Sequence, residues 1–368
     1  MIRFMAPDLP HPSGGIKVIY SYVAHLCDLG YDARVWHGTP GFAYADWDSP
    51  APVDTGLTLP FAKGDVLVIP ETGGSKWSFL SGDQPVVVLC QGMDFVFADA
   101  DFLTDVAGRY PGWPRAEATL AVSEAIATFL EHACAPGFPI HHVPVEIEPW
   151  FRPAFKEKRI ALMPRRRRAD LIGAVQLLRR SGHLGDWEIV LIDGMTQRQV
   201  ADELGRSAIF LFGAEREGLG LPGAEAMAAG CYVIGFTGDG AKEYLTEDVA
   251  GIVLDSDVVG MAEQTLAAMA AFETNRPSFD AKVQRGRERV AARYSAHEVR
   301  QGLEAAFAQV TAPRSPALIG RDVSLPHYMR YGPRGGRAGA GYRALRHSAG
   351  TIVDALSKST AAISRRAR

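Results

Sequence analysis

The chain has 368 residues, of which 47% are hydrophobic and 22% are charged, with a formal net charge of −3. This balance is typical of a globular protein, and the length favours two domains because single cores stop growing near ~250–300 residues. No stretch approaches the ~20 apolar residues that a membrane-spanning helix needs, and Pro7 interrupts the start too early for a signal peptide.

The first half of the sequence alternates short apolar runs with helical patterns. Residues 16–29 show helical spacing that Gly30 ends, and Ser123 suits the N-cap of a second helix over "SEAIATFLEHA". The apolar runs predict strands, in the order "IRFMA", "ARVWH", "DVLVIP", "PVVVLC" and "ATLAVS". Strands joined by crossovers predict a parallel sheet covered by helices.

The alternation lapses at "VEIEPWFRPAFKEK", where Pro149 and Pro153 lie close together, and we expect this segment to connect two domains. Strands then resume at "RIALMP", "WEIVLI", "AIFLF", "CYVIGF" and "GIVL". Helices are predicted between and after them, at 169–180, 197–204, from Pro222, at 241–245 and at 258–271. Ser295 and Glu298 form a capping box that opens a helix over about 296–310. The expected fold class is α/β, with a ligand cleft between two similar halves.

The four cysteines, Cys27, Cys90, Cys134 and Cys231, are far apart in mostly apolar surroundings. Their separations match no metal-ligand spacing. The pattern predicts reduced, buried thiols in a cytoplasmic protein.

A glycine-rich bend follows the strand "AIFLF", in the sequence "EREGLGLPGAEAMAAG". Pro222 suits the first turn of a helix, while the glycines Gly218, Gly220 and Gly223 let the backbone approach a ligand closely. Free N–H groups at such a helix start, beyond the carboxyl end of a parallel strand, suit a diphosphate.

Two carboxylates flank this bend, Glu217 and Glu225. They repel phosphate, but an ionised carboxylate accepts hydrogen bonds and can hold two hydroxyls of a sugar ring. Phosphates and polyhydroxyl rings in one ligand describe a nucleotide sugar. The alternative is a capped helix whose acids only oppose the helix dipole.

Several motifs together resemble a known family. "EGLGLPGAEAMAAGCYVIGF" resembles the E-x7-E region of retaining GT-B glycosyltransferases of the large family-four group, and "GDGAKEYL" and "AGIVL" follow in the expected order. Upstream, "SGGIKVIYSYVAHLCDLGYDARVW" is similar to that group's glycine loop and first helix, and "ATLAVSEAIATFL" and "VPVEIEPWFRP" match the end of its first domain. The likeness covers roughly residues 1–310.

The resemblance implies a GT-B fold, with two facing Rossmann-like domains and a central cleft. Residues 1–150 would form the acceptor-side domain and residues 151–295 the donor domain. Residues 296–314 would form a helix that crosses back to the first domain, and residues 315–368 a basic tail. The implied activity is metal-independent, retaining transfer of a hexosyl or deoxyhexosyl group from a nucleotide diphosphate sugar to a hydroxyl acceptor, in polysaccharide or glycolipid biosynthesis.

The same resemblance implies roles for single residues. Glu217 would bind the donor sugar hydroxyls, as a catalytic residue, and Glu225 the ribose hydroxyls. Backbone groups would line the sugar and diphosphate, namely those of Gly14, Gly15, Gly218, Leu219 and Gly220. For the two N-terminal glycines the alternative is an ordinary helix-entry turn.

A cation must stabilise the charge of the leaving diphosphate, and "MPRRRRAD" supplies four arginines directly after a strand. Arg165 best matches the catalytic arginine of the family. The lysine that usually follows is missing, so Arg166 or Arg168 would take its place. Solvated surface charge is the alternative for each arginine, and Arg167 fits it best. No aromatic residues interleave the run, which argues against a nucleic-acid partner.

The acceptor side carries fewer signals. Relatives often have a histidine where this chain has "VVVLCQGMDF", which offers Gln91 and Asp94 instead. Glu71 ends a strand and is a further acceptor candidate, with an ordinary strand-end carboxylate as its alternative. His11 in the glycine loop and Glu243 near a helix start are weighed against surface positions. No metal site is expected, because the arginines supply the charge that a metal ion otherwise would. No cofactor is expected, since the nucleotide sugar is a substrate.

The last 48 residues, 321–368, carry nine Arg and one Lys against two Asp, so the remainder of the chain is acidic. Apolar residues at three- and four-residue spacing predict a basic amphipathic helix over 340–368, which suits an anionic membrane surface. Packing on the body and disorder are the alternatives. Membrane contact would fit a glycan or lipid-linked acceptor and a peripheral position on the inner face of the membrane.

Three other functions compete with this interpretation. A catalytically silent GT-B protein would bind a glycan or partner, and a nucleotide-sugar epimerase of similar fold would convert donor without acceptor. A nicotinamide oxidoreductase would need G-x-G-x-x-G after a strand, and "PDLPHPSGG" does not supply it.

Overall fold

The structure is a computed structural model. It describes the backbone of residues 323–324 and the residues in the ranges 1–44, 47, 49–72, 84–98, 100–103, 105–106, 108–113 and 115–310. The tail helix predicted over 340–368, and with it the predicted membrane contact, lies outside the described residues.

The first half forms a parallel sheet of seven strands. Its strands are β1 (Ile2–Met5), β2 (Ala33–His37), β3 (Val53–Thr55), β5 (Val66–Pro70), β6 (Val86–Cys90), β7 (Ala116–Ala121) and β8 (Ile140–His142). They lie in the order β3-β2-β1-β5-β6-β7-β8. The central strands are buried along nearly their whole length because apolar side chains face helices on both sides of the sheet. A short strand outside this sheet, β4 (Thr58–Leu59), pairs antiparallel with β14 (Val323–Ser324).

Two helices of this half matter for the site. Helix α1 (Gly14–Asp28) follows β1, and the Ser13 side chain caps it by accepting a hydrogen bond from the N–H of Ile16. Helix α2 (Glu124–Ala133) follows β7, with Ser123 as its N-cap. Both helices therefore begin at the carboxyl edge of the sheet, where α/β proteins bind ligands.

The second half forms a parallel sheet of five strands. Its strands are β9 (Glu157–Leu162), β10 (Glu188–Leu191), β11 (Ser207–Gly213), β12 (Tyr232–Phe236) and β13 (Gly251–Ile252), in the order β10-β9-β11-β12-β13. Its helices are α3 (Arg168–Arg180), α4 (Gln197–Arg206), α5 (Leu221–Ala228), α6 (Val258–Thr274) and α7 (Arg276–Arg293). The carboxyl end of β11 leads through the glycine-rich bend into α5.

The last described helix, α8 (Ala296–Val310), returns to the first half and packs against α1, β7 and β8. Phe307 is fully buried there, with its ring centroid 6.1 Å from that of Phe4 in β1. Gly302 lies so close to β8 that a Cβ atom on it would be 3.1 Å from the carbonyl oxygen of His142. The core of the first half thus includes a helix from the far end of the described chain.

Most predicted elements are present, and the predicted fold class, two Rossmann-like parallel sheets, is confirmed. Helix α7 was not predicted, because only Phe279, Gly286 and Val290 are buried along its 18 residues. Its start is marked instead by Asn275, whose side chain accepts a hydrogen bond from the N–H of Ser278. The short strands β3, β4 and β8 were also missed, since two or three residues give too little alternation to recognise.

A buried ammonium group joins three elements of the second sheet. Lys156 Nζ donates to the carbonyl oxygens of Leu204, Ser207 and Ala229, at 2.9, 2.9 and 2.7 Å. These carbonyls lie at the C-terminal ends of α4 and α5, where the backbone lacks internal partners. Burial lowers the pKa of Lys156. Donation to three carbonyl oxygens at once nevertheless requires the ammonium form, because a neutral amine has only two N–H groups.

We predict that Lys156→Met destabilises the fold by about 2–4 kcal/mol, because it leaves buried carbonyl groups without donors. The measurement is guanidinium unfolding followed by circular dichroism. The matched control is Lys158→Met, two residues along the same strand region, where the ammonium faces solvent and pairs with Asp186. Equal unfolding midpoints for the two variants would contradict the role given to Lys156.

Candidate active site

Two helix N-termini face each other across the cleft between the sheets. Helix α1 begins at Gly14, and helix α5 begins at Leu221. A Cβ atom on Gly14 would lie 3.4 Å from Leu221 Cδ1, so the two helix starts are in contact distance. Since each N-terminus carries a partial positive charge and unpaired N–H groups, their junction is suited to an anion.

The loop after β6 also touches the glycine bend. A Cβ atom on Gly218 would lie 2.0 Å from the carbonyl oxygen of Gln91, which excludes any side chain at this position. The Gln91 side chain turns the other way, and its Nε2 donates to the carbonyl oxygen of Gly15 at 3.2 Å. Gln91 therefore lies between the glycines of the two domains and contacts both.

The bend itself is held by hydrogen bonds from the segment that follows β12. Gly220, with φ +81°, adopts the left-handed conformation that favours glycine, and its carbonyl oxygen accepts from the Tyr244 hydroxyl at 2.6 Å. The N–H of Gly240 donates to the carbonyl oxygen of Glu217 at 3.1 Å. Because these contacts fix the backbone on both sides, the N–H groups of Gly218 and Leu219 have a defined direction without a ligand.

Glu217 and Glu225 lie on either side of the start of α5. Only 18% of the Glu217 side chain is exposed, and its Oε1 is 3.4 Å from Nε of Arg166. Burial raises the pKa of Glu217, and the charges of Arg166 and Arg165 oppose the rise. Burial also raises the pKa of Glu225 to about 7, against the charge of Lys17.

Two charged groups in the cleft were missed in the sequence. Lys17 is on the first turn of α1, and its charge interacts with those of Glu225, Arg165 and Glu148. Burial lowers the pKa of Lys17, and Glu225 raises it. Burial, followed by the charge of Glu146, raises the pKa of Glu148 to about 7. No local pattern marks Lys17, because its role comes from the charges of Glu225 and Arg165 in the other half of the chain.

The four arginines after β9 diverge. Arg165 is exposed and acts electrostatically on both bend carboxylates, and Arg166 pairs with Glu217. Arg167 has a left-handed φ of +48° and pairs with Asp170 and Asp255, on the far side of the loop. Arg168 is the exposed first residue of α3. The loop therefore directs Arg165 and Arg166 toward the bend.

The predicted acceptor residues lie on the other side of the junction. Glu71, at the end of β5, is only 4% exposed, and its carboxyl group accepts from the backbone N–H groups of Gln91 and Gly92. Burial raises its pKa to about 8. Asp94 is exposed on the short helical turn after Gly92, and His11 is exposed in the loop before α1. Glu71 thus supports the loop from within, whereas Asp94 is open to solvent.

Glu243 takes part in a second contact between the domains. Its Oε2 accepts from the N–H of Glu124 at the start of α2, at 2.8 Å, and its Oε1 accepts from the Tyr294 hydroxyl. Arg293 Nη1 pairs with Glu124 Oε1 at 2.9 Å. The four residues line a cavity of about 540 Å³ that continues along β8 and α8.

Among the described residues, no group of three or more His, Cys, Asp or Glu side chains is arranged to hold a metal ion. In the same part of the chain, no helix has the length and apolarity needed to cross a membrane. All four cysteines are free. Cys90 and Cys231 are buried as predicted, whereas the prediction is wrong for Cys27 and Cys134, which are partly exposed.

Two facing Rossmann-like sheets, with glycine turns in contact and acids beside a helix start, define the GT-B class of glycosyltransferase folds. In line with this, residues 182–289 match the family model described as Glycosyl transferases group 1. The predicted resemblance to GT-B glycosyltransferases is therefore confirmed.

Individual proteins show the same likeness. The chain is 38% identical over 136 residues to an alpha-1,6-glucosyltransferase of Actinobacillus pleuropneumoniae serotype 7. That alignment covers 35% of this chain and 40% of the relative. The fold is similar to sucrose-phosphate synthase from Thermosynechococcus elongatus, with 12% identity and a TM-score of 0.61, and to Anabaena HepE in complex with UDP and glucose, with 13% identity and a TM-score of 0.61. Each structural match covers 84% of this chain and 99% of the other.

We predict that Glu71→Gln changes how stability depends on pH. The folded protein holds the Glu71 proton up to about pH 8, whereas the ordinary glutamate value is 4.5. The free energy of unfolding is therefore highest, as far as Glu71 is concerned, below pH 4.5, and this contribution of Glu71 is lost as the pH rises through about 8. Gln cannot ionise, so its stability relative to wild type should rise by about 2–4 kcal/mol between pH 5 and pH 9. Urea unfolding across this range measures the difference, and a constant difference would contradict a buried, protonated Glu71.

Proposed function

We propose that this protein transfers a hexosyl or deoxyhexosyl group from a nucleotide diphosphate sugar to a hydroxyl acceptor, with retention of the anomeric configuration. One observation supports this most directly. The start of α1, at Gly14, and the start of α5, at Leu221, meet across the cleft, with Glu217 and Glu225 beside them. Amides for phosphate and carboxylates for hydroxyls then lie within one ligand's reach.

In this proposal the diphosphate binds between the two helix starts. The N–H groups of Gly14, Gly15, Gly218, Leu219 and Gly220 would face it, and the exposed Arg165 would supply a cation from the loop after β9. Charge builds up on the diphosphate as the glycosidic bond breaks, so donors that are already oriented stabilise the transition state most. Gln91 supports both glycine turns and so helps to fix the distance between them.

Lys17 is proposed as the second cation, in place of the lysine that relatives carry after the arginine. It reaches the cleft from α1, whereas Arg165 reaches it from the other domain. Arg166 is occupied by Glu217, at 3.4 Å, and Arg168 is on the outside of α3. The two cations would approach the diphosphate from opposite domains. They would supply the charge that a metal ion provides elsewhere.

The two carboxylates are proposed to bind the two sugar rings of the donor, one each. Glu225 is proposed to accept hydrogen bonds from the ribose hydroxyls, and Glu217 from the hydroxyls of the transferred sugar. The charge of Arg166 favours the ionised form of Glu217, which is an acceptor only and would attract the sugar hydroxyls. The raised pKa of Glu225, about 7, is expected to fall when hydroxyl donors bind its ionised form.

The chemical step is a displacement on one face of the sugar. The bond between the anomeric carbon and the diphosphate oxygen breaks, and its electron pair stays with the diphosphate. The acceptor hydroxyl oxygen bonds to the anomeric carbon from the same face, and its proton passes to a phosphate oxygen. Glu71 is proposed to position the loop at Gln91 and Gly92 rather than to carry this proton, because its carboxyl faces their backbone amides.

The biological setting is proposed from the relatives. The similar proteins include a glucosyltransferase and HepE in complex with UDP and glucose, which favours a UDP-hexose as the first donor to test. Polysaccharide or glycolipid biosynthesis, at the inner face of the membrane, remains the proposed context. A silent binding protein and an epimerase are the outcomes to be distinguished by experiment.

We predict that a nucleoside diphosphate and its sugars, screened across UDP, GDP and dTDP, raise the melting temperature of the protein. Arg165→Ala and Lys17→Ala should each lower the affinity for the nucleotide found in this screen roughly 10–100-fold, because each removes a charge-assisted hydrogen bond. Isothermal calorimetry provides the affinities. The control is Arg180→Ala, at the opposite end of α3, which should bind as wild type. Wild-type affinity in Lys17→Ala would remove this residue from the site.

We predict that Glu217→Gln keeps nucleoside diphosphate binding but lowers sugar transfer about 10–100-fold, because the charged acceptor contacts only the sugar. Glu225→Gln should lower the affinity for the nucleoside diphosphate itself, because Glu225 is assigned to the ribose hydroxyls. The assay combines calorimetry with chromatographic detection of the glycosylated acceptor. Donor conversion to another sugar without acceptor would identify an epimerase, and binding without either reaction would identify a silent protein.

A further inference from the structure

The described surface has one concentration of exposed apolar side chains. Phe95, Phe97, Phe102 and Leu103 are 48%, 43%, 107% and 97% exposed, and they fall within nine residues. We name residues 93–103, apart from residue 99, the aromatic ledge. Such exposure has an unfavourable solvation cost, and exposed apolar patches commonly mark interaction sites.

The ledge begins next to the proposed reaction centre. The ring of Phe95 lies over Gly92, where a Cβ atom would be 3.1 Å from Phe95 Cδ2 and 3.5 Å from Glu71 Oε1. Gly92 directly follows Gln91, whose carbonyl oxygen abuts Gly218. The ledge therefore extends outward from the junction of the two domains, on the side of the first sheet.

The ledge also has a firm base. Phe97 packs edge to face against Phe129 of α2, with ring centroids 6.1 Å apart. On the same helix, Ile126 Cδ1 would lie 2.9 Å from a Cβ atom on Gly218. Helix α2 thus contacts both Phe97 and the glycine bend, so the base of the ledge has a defined position relative to the bend.

The charge of this segment is one-sided. Residues 93–103 contain three aspartates, Asp94, Asp99 and Asp101, and no Lys or Arg; Asp105 follows them, and the first basic residue after it is Arg109. Asp94 and Asp105 are exposed. Carboxylates accept hydrogen bonds from hydroxyls and repel phosphate, sulfate and carboxylate groups. Alternating rings and carboxylates suit a ligand with apolar C–H faces and hydroxyl edges.

We propose that the aromatic ledge binds the acceptor, and that the acceptor is a neutral glycan chain of several sugar units. Sugar rings would stack on Phe95 and Phe102 while their hydroxyls donate to Asp94 and Asp101. The reacting hydroxyl would then point past Gln91 toward the sugar held by Glu217. This inference rests on the proposed function, because it assigns the substrate class of the same reaction.

The charge of the ledge decides against a membrane as its ligand. Exposed aromatic rings also enter lipid headgroup regions, but interfacial segments of that kind carry Lys or Arg on their polar face. Residues 93–103 carry only aspartates there. An anionic bilayer would be repelled, so a neutral polyhydroxyl surface fits both the rings and the charge.

The test is affinity electrophoresis of the full chain in native gels that contain dextran, amylose, mannan or galactan. At least one neutral glycan should retard the protein, and the Phe95→Ala/Phe102→Ala double variant should show about tenfold weaker binding, because each ring loses a buried apolar face. The control is Phe155→Ala, which removes a ring that is also exposed, at 86%, from the segment before β9. It should migrate as wild type.

A second arm tests the alternative ligands with the same variants. The ledge should attract neither dextran sulfate nor vesicles of phosphatidylcholine with phosphatidylglycerol. Any binding of the protein to these ligands should therefore be the same in the double variant and in wild type. No retardation by any neutral glycan, or equal retardation of the double variant and wild type, would overturn the proposal. Loss of vesicle binding in the double variant would assign the ledge to a membrane instead. The nucleotide melting-temperature screen on the same proteins is independent, so failure of the donor site is distinguished from failure of the ledge.

Discussion

The architecture of the site depends on one close backbone contact between the domains. The carbonyl oxygen of Gln91 lies where a Cβ atom of residue 218 would be, at 2.0 Å, so the two lobes approach this closely only with glycine at that position. The same residue bonds to Gly15 through its side chain. A single residue of the first lobe therefore sets the spacing of two glycine turns that belong to different sheets. The distance between the two turns, and so the space for a ligand between them, is therefore largely set by the protein itself.

Within that gap, positive and negative groups are close together but unequally buried. Lys17 and Arg165 lie near Glu225, whose pKa is nevertheless raised to about 7 because burial outweighs the neighbouring cations. Burial thus disfavours the ionised form of Glu225 more than these cations favour it. The proposed donor brings both phosphate and hydroxyl groups, so phosphate would pair with the cations and hydroxyls with the carboxylates. This pairing would explain why acids and cations lie together in the proposed donor site.

The sequence was most informative where local rules decide the structure. The bend at Gly218 and Gly220 could be predicted because glycine, proline and paired acids each have a local backbone or chemical reason. Lys17 could not, because its importance comes from a contact between domains that no local pattern encodes. The arginine run shows both cases, since four identical side chains diverge according to the left-handed turn at Arg167. Glu71 likewise seemed to face a ligand, and only the fold shows that its carboxyl group is turned toward backbone amides.

The return of α8 to the first sheet means that this lobe is not contiguous in sequence. Phe4 in β1 is sealed by Phe307, some three hundred positions later in the chain. During synthesis the amino-terminal lobe therefore leaves the ribosome with part of its interior uncovered, and the carboxyl-terminal sheet has to emerge before it can be closed. A fragment cut at the segment between the lobes would retain that bare face. All strands of the carboxyl-terminal sheet are therefore synthesised before the amino-terminal sheet receives its covering helix α8.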